Sequence, residues 1–509
     1  MSTPGSTAAV VERKSGLLYW AQRVVEECED ASQDFAADPV HDLRVAIRRC
    51  RSMADGFLSV DPDPGWKQMK RMAKPLFASL GELRDVQVMM EWVSKLSAAD
   101  DPARPILLLE LQVRETQLKA AAQQELGNFD RKQWLSLNVR LTERAKQVPL
   151  GGSVFQLLAL ERWNDARELH KTALRNRSGN AYHQLRIGIK RLRYTVENFL
   201  PSLHDQWSKD LRDLQDALGE VHDFDVLWTM LRIHHEVAPE VRAHWHTIIQ
   251  AERNRRLTLY RERMVGRKTL WQKWHSALPV GPALRRAGLD KFGLWASFLD
   301  PHFERTTRVT GTALRLYEGL IENKVFRSDH TQLDLLEAAA LTHEIGLSKR
   351  ERGHRKRSFR MISKMMPPPG WSAEEMQAIA TIARHHDGAL SLVDDSVSGG
   401  IAANSRRSLL RLAGILRLAV ALENATPATG LSAIVSRKDG VLILGLGELD
   451  THIGPEGERL ARAKYLLEAA CGMPIKMESS SAAAMSRSKI SRPVRKVNLK
   501  HQELPSGQS

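Results

Sequence analysis

A basic helical pattern occurs twice in this chain, at 41–58 and again at 183–200. The first copy reads HDLRVAIRRCRSMADGFL and the second reads HQLRIGIKRLRYTVENFL. In both copies a histidine and three cations recur every three or four residues, which places them on one face of an α-helix. These residues, which we call the two rails, are His41, Arg44, Arg48 and Arg51, and His183, Arg186, Lys190 and Arg193. Each helix therefore carries cations on one side.

The opposite side of each copy is apolar, which predicts that both helices bury that side in a core. The apolar positions are Leu43, Ala46, Ile47, Cys50, Met53, Ala54 and Phe57, and Leu185, Ile189, Leu192, Val196 and Phe199. A second repeated pattern follows, LGELRDVQVMMEWV at 80–93 and LGEVHDFDVLWTML at 218–231. In it, Leu-Gly predicts a helix end, and Asp85 and Asp223 predict the start of the next helix. The repeat predicts two pseudo-symmetric helical bundles in one domain.

Composition favours an anionic partner. The chain has 75 Lys and Arg against 60 Asp and Glu, a net charge of +15 and a pI near 9.8. This balance favours polyanions or anionic membrane surfaces. The three cysteines are too widely spaced for a disulfide framework and indicate a reducing compartment. No apolar run of about 18 residues occurs and the N-terminus does not resemble a signal peptide, so we expect a cytoplasmic protein without membrane insertion.

The rails favour a linear polyanion. Arginine donates two parallel hydrogen bonds to a phosphate, and repetition along a helix places cations about 5 Å apart. Lys67 and Lys70, on the helix before LGELRD, are candidates for a third wall. The alternative is a solvated helix face balanced by neighbouring acids. Two copies at equal spacing favour the binding site. We also expect the arginines to hold the pKa of Asp85 and Asp223 down.

The repeated motif H-x-L-R-x-x-I-R/K-R-x-R, followed by L-G-x-x-R/H-D-x-x-V, resembles the CHAD family. The resemblance covers about 12–265. CHAD domains are helical binders of inorganic polyphosphate, so the resemblance implies a polyphosphate pore lined by the two rails. The sequence firmly predicts no cofactor.

A different set of motifs occupies the second half. The segments LEAAALTHEIG at 336–346, GHRKRSFRMI at 353–362 and IATIARHHDG at 379–388 are typical of an HD-type metal phosphohydrolase. They most resemble the C-terminal helical domain of exopolyphosphatases and guanosine pentaphosphate phosphatases. The resemblance implies site positions at His343, His354 and His386. An Asp-Gly pair inside LSAIVSRKDGVLILGLGEL, at 431–449, predicts one β-hairpin.

This second half departs from the HD pattern at three positions. Glu344 stands where an aspartate is usual, Arg305 where the first histidine belongs, and Val420 where the last aspartate belongs. The sequence therefore predicts an incomplete ligand set, and it leaves a divalent metal open without predicting one. The alternative is a structural or phosphate-binding role for the second-domain candidates, which are His343, Glu344, His354, Lys356 and His386.

We predict an all-α protein with one small β-hairpin. The predicted order is a disordered 1–15, a CHAD domain at 16–265, a linker at 266–290, an HD-like domain at 291–478 and a disordered basic tail at 479–509. The predicted function is non-catalytic binding of, or targeting to, inorganic polyphosphate in the cytoplasm, including its granules. One alternative is a metal-dependent HD-type phosphohydrolase acting on polyphosphate or a phosphorylated nucleotide. The other, a nucleic-acid binder, is disfavoured because the rails carry no interleaved aromatic residues. The sequence does not decide the oligomeric state.

Overall fold

The structure is a computed structural model that describes residues 16–233, 236–327, 329–388, 403–425, 434–445 and 455–478. The predictions of disorder at 1–15 and 479–509 lie outside these residues. The chain divides into two compact units. Unit 1 comprises the residues up to Leu299 together with Pro367–Ser372, and unit 2 comprises Asp300–Met366 and the described residues from Ala373 onward.

Unit 1 is entirely helical in its described part. Its helices are α1 Leu17–Ala31, α2 Ala37–Phe57, α3 Gly65–Met72, α4 Lys74–Leu96, α5 Ala103–Asn128, α6 Arg131–Ala145, α7 Ser153–Asn176, α8 Gly179–Phe199, α9 Pro201–Ile233, α10 Pro239–Met264, α11 Leu270–His275 and α12 Gly281–Leu299. All twelve apolar positions predicted on α2 and α8 are buried, which confirms the predicted faces.

The repeat appears as a pseudo-two-fold arrangement of helices. α1 packs on α2 and α4 on α5, and in the second half α7 packs on α8 and α9 on α10. Equivalent helices also meet each other, α2 with α8 and α4 with α9. One apolar core joins both halves, and a second lies between the α4–α5 and α9–α10 pairs. The predicted duplicated bundle is confirmed.

The prediction that Leu-Gly ends a helix is wrong. α4 continues through Gly81 and α9 through Gly219, so Asp85 and Asp223 lie in the middle of helices and cap nothing. The glycine of α4 has a steric reason. A Cβ at Gly81 would lie 2.8 Å from Nη1 of Arg44, so only a glycine lets that guanidinium lie against the helix. The absent side chain makes room for a rail residue.

The stretch 266–290 is largely helical, since it contains α11 and the first half of α12, and both pack on α7. The two units meet in sequence at Leu299 and Asp300. The domain boundaries given above stay a prediction. Pro367–Ser372 joins unit 1 through Trp371, whose indole lies under the Arg285 guanidinium at 4.2 Å.

Unit 2 is helical with one small sheet. Its helices are α13 Phe303–Glu322, α14 His330–Thr342, α15 His354–Lys364, α16 Ala373–Arg384, α17 Ala403–Ala425 and α18 Pro455–Cys471, with a 3-10 turn at Ile345–Ser348. Its strands are β1 Ile434–Lys438, β2 Val441–Gly445 and β3 Ile475–Glu478. β1 and β2 form the predicted antiparallel hairpin, in which Asp439 and Gly440 both have positive φ. β3 adds a parallel strand beside β2 that was not predicted.

No helix in the described ranges combines the length and apolar character needed to cross a membrane.

Candidate functional site

The two rails meet where α2 contacts α8. Both helices bury their apolar faces in the shared core, which leaves the cationic faces on the outer side of the contact. The side chains of Arg44, Arg48, Arg186 and Lys190 lie close enough to raise one another's electrostatic energy. Arg193 joins them beside Arg48. The structure thus brings together half of the predicted polyphosphate-binding residues, and these five form what we call the cationic channel.

Burial and mutual repulsion make the positive charges of the cationic channel energetically unfavourable. Burial, and then the neighbouring Arg48, Arg186 and Arg44, lower the pKa of Lys190 to about 7. Burial also lowers the pKa of Arg44 to about 10, although Asp85 acts in the opposite sense. Desolvated like charges at this separation repel one another. A bound polyanion would remove that repulsion, which is what a site prepared for anions requires.

Several polar atoms around the cationic channel are buried without a hydrogen-bond partner among the described residues. They are Nδ1 of His183, Nε of Arg186 and the hydroxyl of Tyr194. A buried donor left unpaired costs about 1–3 kcal/mol, so such atoms point to a missing ligand. Tyr194 was not predicted. Its ring lies under the Arg48 guanidinium at 5.3 Å, and no repeated residue marks it, since the equivalent position in the first copy is Ser52.

The expectation that arginines lower the pKa of Asp85 and Asp223 is wrong. Desolvation raises the pKa of both carboxyl groups, and that of Asp223 reaches about 6. The arginines act in the predicted direction, but the loss of water outweighs them. Asp85 interacts electrostatically with Arg44, Arg186 and Lys190, so it is an acid at the cationic channel.

The remaining rail positions lie around the cationic channel. Arg51 donates to the carbonyl of Lys70 at 2.9 Å, and the Lys70 ammonium pairs with Asp55. Lys67 is exposed on α3. The third wall built from Lys67 and Lys70 stays a prediction, with one of its two charges already balanced by an acid.

The two histidines of the rails differ in surroundings. His41 is exposed, beside Arg84, whereas His183 lies against His222 with 4.4 Å between ring centroids. Partial desolvation lowers the pKa of His41 and His183, and burial lowers that of His222 to about 4. All three imidazoles are therefore neutral at pH 7 in the absence of a ligand.

In unit 2 the predicted histidines converge from three separate helix ends. His343 follows α14, His354 begins α15 and His386 follows α16. Nε2 of His354 lies 3.3 Å from Nε2 of His386 and 3.4 Å from Oε2 of Glu344. Nε2 of His343 lies 3.7 Å from Oε1 of Glu344. We call these four residues the histidine cluster, and three of them, His343, Glu344 and His386, are buried with ligand atoms all within 4.8 Å of one another.

Each histidine of the cluster is oriented by the same local contact. Nδ1 lies 2.7 Å from the carbonyl of Ala340 in His343, 3.0 Å from that of Glu351 in His354, and 2.7 Å from that of Ala383 in His386. A carbonyl only accepts, so Nδ1 carries the proton and donates it. Every Nε2 therefore presents a lone pair.

This donor set fits a divalent metal of the kind that HD-type domains hold. The buried Nε2 of His343 and Oε2 of Glu344 have no hydrogen-bond partner in the described part of the chain. Burial raises the pKa of Glu344 and lowers that of His386 to about 3, because loss of water disfavours the charged form of both groups. His343, Glu344, His354 and His386 are the residues that would hold the ion, and a bound ion would supply a positive charge and, at any open position, an acidic water.

Glu344, His354 and His386 of the cluster line a cavity of about 1000 Å³ within unit 2, whereas His343 is fully buried beside them. Val420 and Arg305 both line it, at the positions where the HD pattern would place ligands. Nη1 of Arg305 lies 3.6 Å from Oε1 of Glu344, and its Nη2 donates to Asn424 at 2.5 Å. Arg417, Arg459 and Arg462 add further cations to the wall.

The basic segment at 349–357 divides into structural and exposed residues. Arg357 donates to the carbonyls of Gly346 and Arg352, both at 3.0 Å, and Arg355 donates to that of Asp387, so these two hold the loop in place. Lys356 projects from α15 as an exposed side chain and is not part of the cavity lining. Lys349, Arg350 and Arg352 are also exposed.

Two family models match successive parts of the chain. Residues 17–232 match the family described as CHAD domain, and residues 299–440 match the family described as Ppx/GppA phosphatase, domain III. A crystal structure of the CHAD domain from the plant Ricinus communis is 22% identical and covers 52% of this chain and 90% of that one, with a TM-score of 0.36. The two family matches extend over the cationic channel and the histidine cluster respectively. The chain therefore carries a CHAD domain followed by a Ppx/GppA phosphatase domain III.

Proposed function

We propose that this protein binds inorganic polyphosphate along the cationic channel of its CHAD domain. The observation that carries the proposal is the meeting of Arg44, Arg48, Arg186 and Lys190, whose positive charges act on one another. The acids that face these cations are Asp85, Asp223 and Glu197. The repeated helices align these cations along two neighbouring axes, α2 and α8. A flexible polymer with one charge per phosphate unit suits such a row, because each guanidinium meets a phosphate in turn.

The known chemistry of the family favours the same ligand, since CHAD domains are polyphosphate binders and both family matches relate to polyphosphate or its phosphatases. The unpartnered Nε of Arg186 and hydroxyl of Tyr194 supply further donors at the channel. Residence at polyphosphate granules in the cytoplasm stays a prediction that follows from this affinity.

Titration of the full-length protein with labelled polyphosphate at several salt concentrations tests the proposal. We expect the logarithm of the binding constant to fall linearly with the logarithm of salt concentration, with a slope that reflects several neutralised phosphates. Duplex DNA of matched total charge is the control, and we expect it to bind more weakly, because a rigid duplex does not enter a row of half-buried cations. Binding that ignores salt, or equal affinity for DNA, would contradict the proposal.

The histidine cluster favours a second candidate function, hydrolysis of polyphosphate or a phosphorylated nucleotide in unit 2. We propose binding rather than hydrolysis, because Arg305 and Val420 occupy two positions that a full HD ligand set needs. We therefore expect no release of phosphate from long-chain polyphosphate with Mg²⁺ or Mn²⁺ above that of buffer. Release that disappears in a His343→Ala, His386→Ala double variant would establish the enzyme instead.

A further inference from the structure

We propose that unit 2 holds one divalent transition-metal ion of the zinc class through Nε2 of His343, His354 and His386 and the carboxylate of Glu344, in a site with no position left for water. This inference concerns unit 2 alone and does not rest on polyphosphate binding by the cationic channel.

The first step is the direction of the lone pairs. Because each Nδ1 donates to a backbone carbonyl, the neutral form of all three imidazoles has its lone pair on Nε2. The partners that these atoms face are other acceptors, namely each other and Glu344. Acceptors that converge in this way repel one another, and Arg305, 3.6 Å from Oε1 of Glu344, offsets part of that repulsion at the carboxylate. A cation among them converts that repulsion into four favourable contacts.

The second step is spacing. Donor atoms about 2.0–2.1 Å from a tetrahedral ion are separated by roughly 3.3–3.4 Å. Nε2 of His354 lies 3.3 Å from that of His386 and 3.4 Å from Oε2 of Glu344. Oε1 of Glu344 lies 3.7 Å from Nε2 of His343 and 3.8 Å from that of His386. His343, Glu344 and His386 have ligand atoms that all lie within 4.8 Å of one another, and a side-chain movement of the adjacent His354 would add the fourth donor to the same ion.

The third step is the identity of the metal. Three imidazoles and one carboxylate suit zinc, cobalt or nickel, whereas magnesium requires oxygen ligands in octahedral geometry. Four protein ligands complete a tetrahedron, which is the arrangement of structural rather than catalytic zinc sites. The backbone carbonyls behind each Nδ1 supply the outer contacts that metal-bound histidines require. The ion would therefore tie together the ends of α14 and α16 and the start of α15.

Metal analysis of the full-length protein tests the site. After removal of metal with a chelator and dialysis against Zn²⁺, we expect about one zinc per chain and a melting temperature higher by about 5 °C or more. Mg²⁺ should cause no shift. His386→Ala should lose both the zinc and the stabilisation, whereas His330→Ala, at an exposed position of the same unit, should retain them.

Cobalt keeps the proposal testable if His386→Ala fails to fold. The intact protein loaded with Co²⁺ should give the intense visible absorption of tetrahedral cobalt, and added orthophosphate should leave the spectrum unchanged. Glu344→Gln, which keeps the shape of the side chain, should weaken Co²⁺ binding. The proposal is overturned if no zinc is retained, if Mg²⁺ stabilises equally, or if phosphate changes the cobalt spectrum, which would reveal an open coordination position.

Discussion

The cationic channel and the histidine cluster both place like groups next to one another, cations in the channel and hydrogen-bond acceptors in the cluster. In the channel, Arg44, Arg48, Arg186 and Lys190 are held near one another, so positive charges repel one another there. In the cluster, Nε2 of three histidines and the Glu344 carboxylate face one another, so hydrogen-bond acceptors repel one another there. Each arrangement is unfavourable alone and favourable with a ligand of the opposite character. Like groups brought together by a fold indicate what the fold is prepared to bind.

The two regions differ in how they are assembled. The channel comes from a repeated spacing within α2 and α8, and a linear array with several equivalent charges can bind a polymer in many registers. The cluster comes from three helix ends that are distant in sequence, and it defines a single point. We therefore expect the channel to be sensitive to salt and to the number of charges, and the cluster to be sensitive to each residue.

The largest expected effect is the loss of polyphosphate binding when the cations of the channel are removed. Replacing Arg44, Arg48, Arg186 and Lys190 by alanine should weaken polyphosphate binding at least about a thousandfold, since each charge-assisted hydrogen bond contributes about 1.5–3 kcal/mol. Helicity measured by circular dichroism should not change, because these side chains lie off the apolar faces of α2 and α8.

A matched variant removes the same number of charges elsewhere. Lys132, Lys146, Lys171 and Arg175 are exposed on or just after α6 and on α7, and their replacement by alanine should weaken binding only slightly. Equal losses in the two variants would show that net charge, not the channel, determines affinity.

The second expected effect depends on pH. Lys190 has a pKa of about 7 in the free protein. A polyanion stabilises the ammonium form and raises that pKa, so binding above pH 7 takes up a proton. The contribution of Lys190 to the affinity should therefore be constant well below pH 7 and fall as pH rises, by at most about tenfold per pH unit for one proton.

Lys190→Arg is the control for this prediction, because arginine remains charged throughout. Isothermal titration at several pH values, in buffers with different ionisation enthalpies, measures the proton uptake. The terminal phosphates titrate equally in both experiments, so the difference between the two proteins isolates Lys190. If both proteins show the same pH profile, Lys190 does not control it.

A smaller effect tests whether Gly81 in α4 makes room for the Arg44 guanidinium. Gly81→Ala places a Cβ 2.8 Å from Nη1 of Arg44 and must displace that guanidinium. We expect a loss of about 1 kcal/mol in binding free energy, roughly fivefold in affinity, without loss of stability. Gly219→Ala is matched, since its Cβ would lie 3.7 Å from Nε of Arg186, an ordinary contact.

Both substitutions should stabilise their helices, because alanine is the better helix former. Thermal melts together with polyphosphate titrations separate stability from affinity. Weaker binding in both variants to the same degree would indicate a general effect of the methyl group rather than displacement of Arg44.

The smallest expected effect concerns unit 2. Alanine in place of the exposed Lys349, Arg350, Arg352 and Lys356 should weaken binding of long polyphosphate about threefold and leave short chains unaffected, because a second weak contact on one polymer adds avidity. Replacement of the exposed Lys364, Arg437, Lys438 and Lys476 is the matched control. No difference between the two variants for long chains would confine polyphosphate binding to the CHAD domain.

Sequence by itself determined the parts of this protein that depend on neighbours along the chain. The helical character, the buried faces of α2 and α8, the cationic faces opposite them and the hairpin at Asp439 and Gly440 all follow from spacings of two to four residues. Backbone geometry alone sets these spacings, so the sequence is sufficient to predict them. The polyphosphate-binding role of each rail residue stays a prediction.

Only the tertiary structure decided the features that depend on burial and on contacts between distant segments. It extended α4 and α9 through Leu-Gly, placing Gly81 against Arg44 from another helix. It raised the pKa of Asp223 to about 6 despite the neighbouring arginine, because desolvation depends on the surrounding protein and not on the motif. It also brought His343, His354 and His386 together around Glu344 from three helix ends. The spacing of residues in a sequence carries no measure of such distances, because packing between helices determines them.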